Sequence, residues 1–133
     1  MTENLELKLQ KSYPKLFKDL YGDPMSTCMA WGVAVGDGWY DIIDEMCKKM
    51  NRIKDANGER IVFAQIKEKF GTLRVYINWP EGFTEDQMKK IYDIEREAEN
   101  NALITCEVCG KSGSMNGKYW LKVVCDEHKE KTN

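Results

Sequence analysis

Hydrophobic residues along this chain repeat first at helical spacing, then at strand spacing, and then at helical spacing again. The first stripe recurs every three or four residues and predicts helical structure. Pro14 interrupts a continuous helix, so we expect a second helix that is capped by Ser12 and ended by Gly22 and Pro24. The stripe comprises Leu5, Leu9, Tyr13, Leu16, Phe17 and Leu20.

The clearest helical pattern extends from Gly38 to Met50. Asp41 in its first turn and Lys48 in its last complement the helix dipole. We expect Cys47 to be an inert core residue because it lies on the apolar face. That face comprises Trp39, Ile42, Ile43, Met46, Cys47 and Met50.

Three glycines, Gly32, Gly36 and Gly38, precede this helix. A glycine-rich loop before a helix can bind phosphate, but no Lys-Ser/Thr pair follows, and Asp37 would repel an anion. The segment therefore favours a turn into a capped helix. Upstream, Cys28 is interpreted as a small buried hydrophobic residue.

Two runs rich in branched and aromatic side chains, residues 61–69 and 73–79, predict a β-hairpin with its bend at Phe70-Gly71. Alternation in the second run separates the face of Arg74 and Tyr76 from the apolar face of Leu73, Val75, Ile77 and Trp79. In the first run, alternation predicts one face shared by Phe63, Gln65, Lys67 and Lys69.

A long acidic helix is predicted after the hairpin. Thr84 and Gln87 form a capping-box pattern, and helical spacing continues from Glu85 to about Asn100. With these elements the sequence predicts an α+β fold, in which helices pack on a small antiparallel β-hairpin sheet. The inner face of the long helix comprises Met88, Ile91, Tyr92, Ile94 and Ala98.

The strongest chemical signal is at the end of the chain. Cys106-x-x-Cys109 and Cys125-x-x-His128 are two ligand pairs separated by fifteen residues. Zn²⁺ takes four Cys or His ligands in tetrahedral geometry, so these residues predict one structural zinc ion per chain. Gly110 favours a zinc knuckle, and Asn116-Gly117 favours a two-residue hairpin turn. A short terminal helix would complete a treble-clef-like module.

Four protein ligands leave no open coordination position for a substrate or a reactive water. His128 is the only histidine, so a chain that uses it for zinc has no second histidine to act as a base. We therefore expect a protein that is not an enzyme. Carboxylates around Asp41 and Asp44 are a weaker catalytic alternative, because paired acids need a context that the sequence lacks.

The net charge of the 133-residue chain is −2, which predicts no general attraction to nucleic acid or membranes. Between Lys48 and Arg74, however, eight Lys or Arg face three Asp or Glu, a local excess of +5. The basic hairpin is a candidate partner surface, and an ordinary solvated face is the alternative. Its candidate binding residues are Lys67, Lys69, Phe70, Arg74 and Tyr76.

Three stretches together resemble a group of small uncharacterised zinc-binding proteins from bacteriophages and bacteria. They are Gly38-Trp39, the run from Gln65 to Tyr76, and the Cys106–His128 ligand segment, within residues 31–128. The resemblance implies a cytoplasmic, mobile-element context. Five cysteines without an export signal also favour a reducing cytoplasm, and no apolar run is long enough to cross a membrane.

We expect residues 1–103 to form an α+β core domain and residues 104–133 to form the zinc module. The leading hypothesis is a non-enzymatic, zinc-stabilised interaction protein with a protein partner. In a phage setting it would be an inhibitor or regulator that acts on a host protein. The alternative is a nucleic-acid-binding protein that uses the basic hairpin between Lys67 and Arg74.

Overall fold

The computed structural model describes residues 1–129, which form three α-helices and two separate two-stranded antiparallel sheets. The helices are α1 (Glu3–Ser12), α2 (Tyr40–Met50) and α3 (Glu85–Ala102). Strands β1 (Val62–Lys69) and β2 (Thr72–Asn78) form the larger sheet. Strands β3 (Ser114–Asn116) and β4 (Lys122–Val124) form the smaller one. The predicted α+β class is confirmed.

One hydrophobic core joins the helices to the larger sheet. Trp39, Phe17 and Phe63 are fully buried in it, and the rings of Phe17 and Phe63 lie 5.1 Å apart. Burying a large apolar side chain contributes about 1.5–3 kcal/mol, so these residues stabilise the fold strongly. Helix α3 packs against both α2 and β2, and the predicted capping box of Thr84 and Gln87 begins it. Cys47 lies in this core, as predicted.

The predicted second helix after Pro14 is wrong, since residues 14–21 form successive turns. Isolated turn bonds remain, such as that from the N–H of Leu20 to the carbonyl of Phe17, but tertiary hydrogen bonds interrupt a continuous helical ladder. The carbonyl of Leu16 accepts from the N–H of Phe63 at 3.0 Å, and that of Phe17 accepts from the side chain of Gln10 at 3.1 Å. Leu16, Phe17 and Leu20 are buried, so the prediction of a core segment holds although its conformation differs.

The β1–β2 hairpin is confirmed, but one of its faces was assigned wrongly. A bulge between Phe63 and Gln65 shifts the register, so Phe63 pairs with Ile77 whereas Gln65 pairs with Tyr76. The extra residue turns Phe63 into the core and leaves Gln65 on the opposite face. Simple alternation cannot anticipate such an insertion.

Three further sequence interpretations require correction. Cys28 is exposed rather than buried, because the one-turn helix Cys28–Trp31 buries Met29 instead. Tyr92 is 48% exposed instead of lying on the inner face of α3. Asn116-Gly117 is not a two-residue turn, since β4 begins only at Lys122 and residues 117–121 form the connecting loop.

The division into residues 1–103 and 104–133 stays a prediction, and its last residues, 130–133, lie outside the described chain. Among residues 1–129, no helix combines the length and the apolar character that crossing a lipid bilayer requires.

Candidate metal centre and interaction surface

The two Cys/His pairs of the sequence meet at one point in the structure. Cys106 and Cys109 lie on the tight turn that follows α3, where the N–H of Gly110 donates to the carbonyl of Cys106 at 2.9 Å. Gly110 has φ +81°, which a residue with a Cβ rarely adopts. Cys125 follows β4, and His128 ends the one-turn helix Asp126–His128.

The distances between ligand atoms fit a four-coordinate metal ion. All four ligand atoms lie within 4.8 Å of one another. The Sγ atoms of Cys109 and Cys125 are 3.7 Å apart, and Nδ1 of His128 lies 3.2 Å from Sγ of Cys125 and 3.6 Å from Sγ of Cys106. Tetrahedral bonds of about 2.3 Å to sulfur and 2.0 Å to nitrogen place the ligands about 3.5–3.8 Å apart. The cluster can therefore hold one metal ion.

Backbone donors prepare Cys106 to act as a thiolate. Burial raises the pKa of its thiol, but the N–H groups of Cys109, Cys125 and Val108 lower that pKa to about 6. The pKa of Cys109 is raised: the N–H of Lys111 lowers it, and desolvation and the neighbouring sulfurs of Cys106 and Cys125 outweigh that effect. Two sulfurs so close together cannot both ionise easily without a cation between them.

The Cys/His ligand cluster is attached to the core through the glycine segment before α2. The N–H of Gly38 donates to the carbonyl of Glu107 at 2.8 Å, and the N–H of Gly36 donates to the Glu107 carboxylate at 2.9 Å. A Cβ at Gly38 would lie only 2.2 Å from the carbonyl oxygen of Cys106. Glycine is required there because the two backbones touch, and the segment is a docking surface and not a phosphate loop.

Two side chains add to this attachment. The indole N–H of Trp39, a buried core residue, donates to the carbonyl of Thr105 at 2.8 Å. Nζ of Lys122, on β4, lies 2.6 Å from Glu68 on β1 and 3.7 Å from Glu107. Bonds from the segment before α2 and from β1 therefore reach residues that are close in sequence to the four ligands.

Sequence reasoning missed these docking residues, although one signal was present. Gly36 and Gly38 stand two residues apart before a helix without the other marks of a phosphate loop, and such glycines indicate a close backbone approach. The partner of the glycines, Glu107, lies between two ligands, and nothing in the sequence connects the two segments.

The five candidate partner residues lie together on the hairpin. Lys67 pairs with Arg74 in the ladder, and the ammonium groups of Lys67 and Lys69 lie 5.6 Å from the rings of Tyr76 and Phe70, respectively. Phe70 is 60% exposed and Tyr76 is 45% exposed. We call the side that carries these residues the outer face of the hairpin.

Glu68 of β1 does not share the outer face, since it is mostly buried beside Lys122. The strand residues of the outer face therefore include three cations and no carboxylate: they are Gln65, Lys67, Lys69, Thr72, Arg74 and Tyr76.

The loop 117–121 lies beside the turn of this hairpin. A Cβ built on Gly71 would lie 2.3 Å from Sδ of Met115 and 3.5 Å from the backbone of Leu121. The loop exposes the rings of Tyr119 and Trp120, which sequence reasoning did not single out. The smaller sheet thus brings a loop with two exposed aromatic side chains to the turn of the β1–β2 hairpin.

The acidic residues near α2 have structural partners. The Asp44 carboxylate accepts from the hydroxyl of Tyr13 at 2.8 Å, and the Asp37 carboxylate accepts from the N–H of Thr2 at 2.7 Å. Of the side chains in residues 1–129, those of Cys106, Cys109, Cys125 and His128 are the group that is arranged to hold a metal ion.

Comparisons of the chain with protein-family models, with curated proteins and with solved structures found no match. The resemblance to phage and bacterial proteins gains no support from them, so functional reasoning rests on the site itself.

Proposed function

We propose that this chain is a non-enzymatic, zinc-stabilised interaction protein. In this proposal the zinc ion holds the smaller sheet beside the β1–β2 hairpin, so that the two hairpins present one continuous surface to a protein partner. The observation that supports the proposal is the contact of Met115 with Gly71, which brings the loop that carries the exposed Tyr119 and Trp120 to the turn of the basic hairpin.

The ligand set supports zinc and a structural role. Three cysteine sulfurs and an imidazole that lie within 4.8 Å of one another are the donor types of structural zinc sites, which have no open coordination position. The knuckle, the β3–β4 hairpin and the one-turn helix at Asp126–His128 follow one another in treble-clef order. We propose a treble-clef-like module on this basis, with cytoplasmic thiolates that serve the metal.

Zinc binding can be tested with two matched substitutions. Cys109→Ser removes an exposed ligand, whereas Cys28→Ser changes an exposed cysteine outside the cluster. We expect about one zinc per chain in the parent protein and in Cys28→Ser, because the four ligands form a single site. Cys109→Ser should lose most of its zinc in metal analysis. Equal metal content in the two variants would contradict the assignment.

The interaction surface can be tested by charge reversal. Lys67→Glu, Lys69→Glu and Arg74→Glu together should abolish capture of the protein partner, because the outer face would change from about +3 to about −3. The control is the substitution of Glu for three exposed lysines elsewhere, which changes the total charge by the same amount. These are Lys15, Lys18 and Lys54.

Capture of the same partner by both triple variants would exclude the outer face as the surface that binds this partner. Turnover of a metabolite by the purified chain would contradict the non-enzymatic part of the proposal. A role as a regulator of a host protein rests on the resemblance alone, and the identity of the captured partner would test it.

Nucleic-acid binding is the second candidate, and the bulge favours it. The bulge sets the register in which Lys67 pairs with Arg74 and Gln65 pairs with Tyr76, so that three cations and the ring of Tyr76 share one face. Such a face suits a single strand that is held by phosphate contacts and base stacking. This candidate predicts that oligonucleotide affinity falls steeply as the salt concentration rises, because each phosphate bound by Lys or Arg releases counterions. Binding that is absent, or that does not change with salt, would remove it.

A further inference from the structure

The outer edge of β2 is an unpaired sheet edge. β2 has β1 as its neighbour, and no other strand within residues 1–129 pairs with it. In an antiparallel ladder, successive residues direct their backbone groups alternately towards the partner strand and away from it. Lys69 and Thr72 flank the two-residue turn and form its closing pair, so Leu73, Val75 and Ile77 direct N–H and C=O groups away from β1.

A groove lies along this edge, between β2 and α3. Its volume is about 740 Å³, and Val75, Ile77 and Trp79 from the β2 side line it together with Met88 and Tyr92 from α3. That volume is in the range of binding clefts, about 300–1,000 Å³. A sheet edge beside a helix provides backbone hydrogen bonds on one wall and side-chain contacts on the other, which is how domains that add a peptide strand bind it.

The helical wall of the groove is acidic. Glu85, Asp93, Glu95 and Glu99 line it, against the two cations Lys89 and Arg96. Glu95 and Glu99 are one helical turn apart, and neither has an ion-pair partner within residues 1–129. Burial and the neighbouring Glu99 raise the pKa of Glu95 to about 7, because two carboxylates in contact repel each other. A cation between them would relieve that repulsion.

Aromatic rings lie at the same groove. The ring centroids of Trp79 and Tyr92 lie 5.4 Å apart with the rings tilted, and Tyr92 and Tyr76 are each nearly half exposed. Such rings bind the methylene chain and the charged head of Lys or Arg. The acidic wall and the aromatic rings of the groove both favour binding of a Lys or Arg side chain.

We propose that the groove between β2 and α3 binds an extended peptide segment of a partner protein, which adds as a strand to the free edge of β2 and places a Lys or Arg between Glu95 and Glu99. This groove shares Tyr76 with the basic outer face but none of its three cations, so failure of the groove would leave the proposed function untouched. A second copy of the chain fits less well. Its own α3 lies beside its β2, and two acidic grooves would face each other.

The test is selection from a displayed library of random seven-residue peptides. We expect the enriched peptides to carry Lys or Arg at one position between β-branched residues, because the strand edge selects extended backbone and the acids select the cation. Binding of a terminally blocked peptide of that sequence to ¹⁵N-labelled protein should protect the amides of Val75 and Ile77 from hydrogen exchange. N-methylation of alternate peptide amides should abolish binding.

Two variants separate the groove from the rest of α3. Glu95→Gln with Glu99→Gln keeps the side-chain shape and should weaken the selected peptide at least tenfold. Glu97→Gln, whose carboxylate faces Lys49 instead, should leave affinity within twofold. Enrichment of acidic peptides or of none, amide protection on Lys67 and Lys69 instead, or dimerisation through β2 would each overturn the proposal.

Discussion

The two antiparallel hairpins of this protein are stabilised in different ways. The β1–β2 hairpin has strands of eight and seven residues, and its inner side chains, such as Phe63 and Ile66, are fully buried in the core. The β3–β4 hairpin has three-residue strands, and β3 is largely exposed. An isolated pair of such short strands has too little apolar surface to be stable in water.

The difference shows what the ligand cluster does for the fold. The smaller hairpin lies between the Cys106–Cys109 turn and the Cys125–His128 turn, so one metal ion would fasten both of its ends. A structural zinc site provides folding free energy directly, which would add to the small core contribution of the buried Val123 and Val124. We therefore expect perturbations of the core to act on the whole protein, and perturbations of the cluster to act on the smaller hairpin.

The largest effect should follow from Phe63→Ala. Phe63 is fully buried against Phe17, and truncating a buried Phe costs about 3–5 kcal/mol of unfolding free energy. Denaturant titration would measure this loss, and both hairpins should unfold together. Phe70→Ala, at the exposed turn, should change the same quantity by less than about 0.5 kcal/mol. Similar losses for the two variants would contradict the distinction between the core and the exposed turn.

A smaller effect is expected where the two regions are joined. Trp39→Phe keeps a ring in the core but removes the N–H that donates to the Thr105 carbonyl, at a cost of about 1–3 kcal/mol. Hydrogen exchange should become faster at Gly36 and Gly38, whose N–H groups donate to Glu107 across the junction. Trp31→Phe, at a position that is 77% exposed, is the control and should leave exchange unchanged.

Changes in pH should affect the core region around Glu95 of α3 and the Cys/His ligand cluster in opposite directions. The folded pKa of Glu95, about 7, lies above its ordinary 4.5, so the folded state retains a proton that the unfolded state has released between those values. Unfolding free energy should therefore fall as pH rises from 4.5 to 7, by about 1 kcal/mol or less because the group is half-buried. Glu95→Gln should remove this slope.

Metal binding by the Cys/His ligand cluster should have the opposite pH dependence. Thiols must lose their protons to bind a metal, so acid weakens that binding. Metal content should therefore fall as pH decreases over a range in which the Glu95 contribution becomes more favourable. An identical pH slope in the parent and in Glu95→Gln would exclude this role for Glu95, and metal content that is independent of pH would argue against thiolate ligands.

Local signals in the sequence predicted most elements of the fold. The Thr84 capping box and the apolar face of α2 are short-range patterns, and the structure bears both out. The spacing of the four Cys and His residues likewise predicted a cluster that the structure assembles. These features depend on residues that are close together in the chain.

The errors arose where distant residues decide the local conformation. The carbonyl of Leu16 bonds to Phe63 rather than within a helix, and the bulge after Phe63 turns that ring into the core. The docking of Glu107 on Gly36 and Gly38 joins segments that are far apart in the chain, since Glu107 and Gly36 are separated by 71 residues. No periodicity within a short window encodes such contacts.

Metal removal, followed by hydrogen exchange, tests the central claim most directly. The protein as purified should contain about one zinc per chain, as a single four-ligand site requires. After chelation, the amides of Val123 and Val124 in β4 should lose their protection, while those of Phe63 and Ile66 in β1 should keep theirs. A metal-free protein in which Val123 and Val124 remain fully protected would contradict the account.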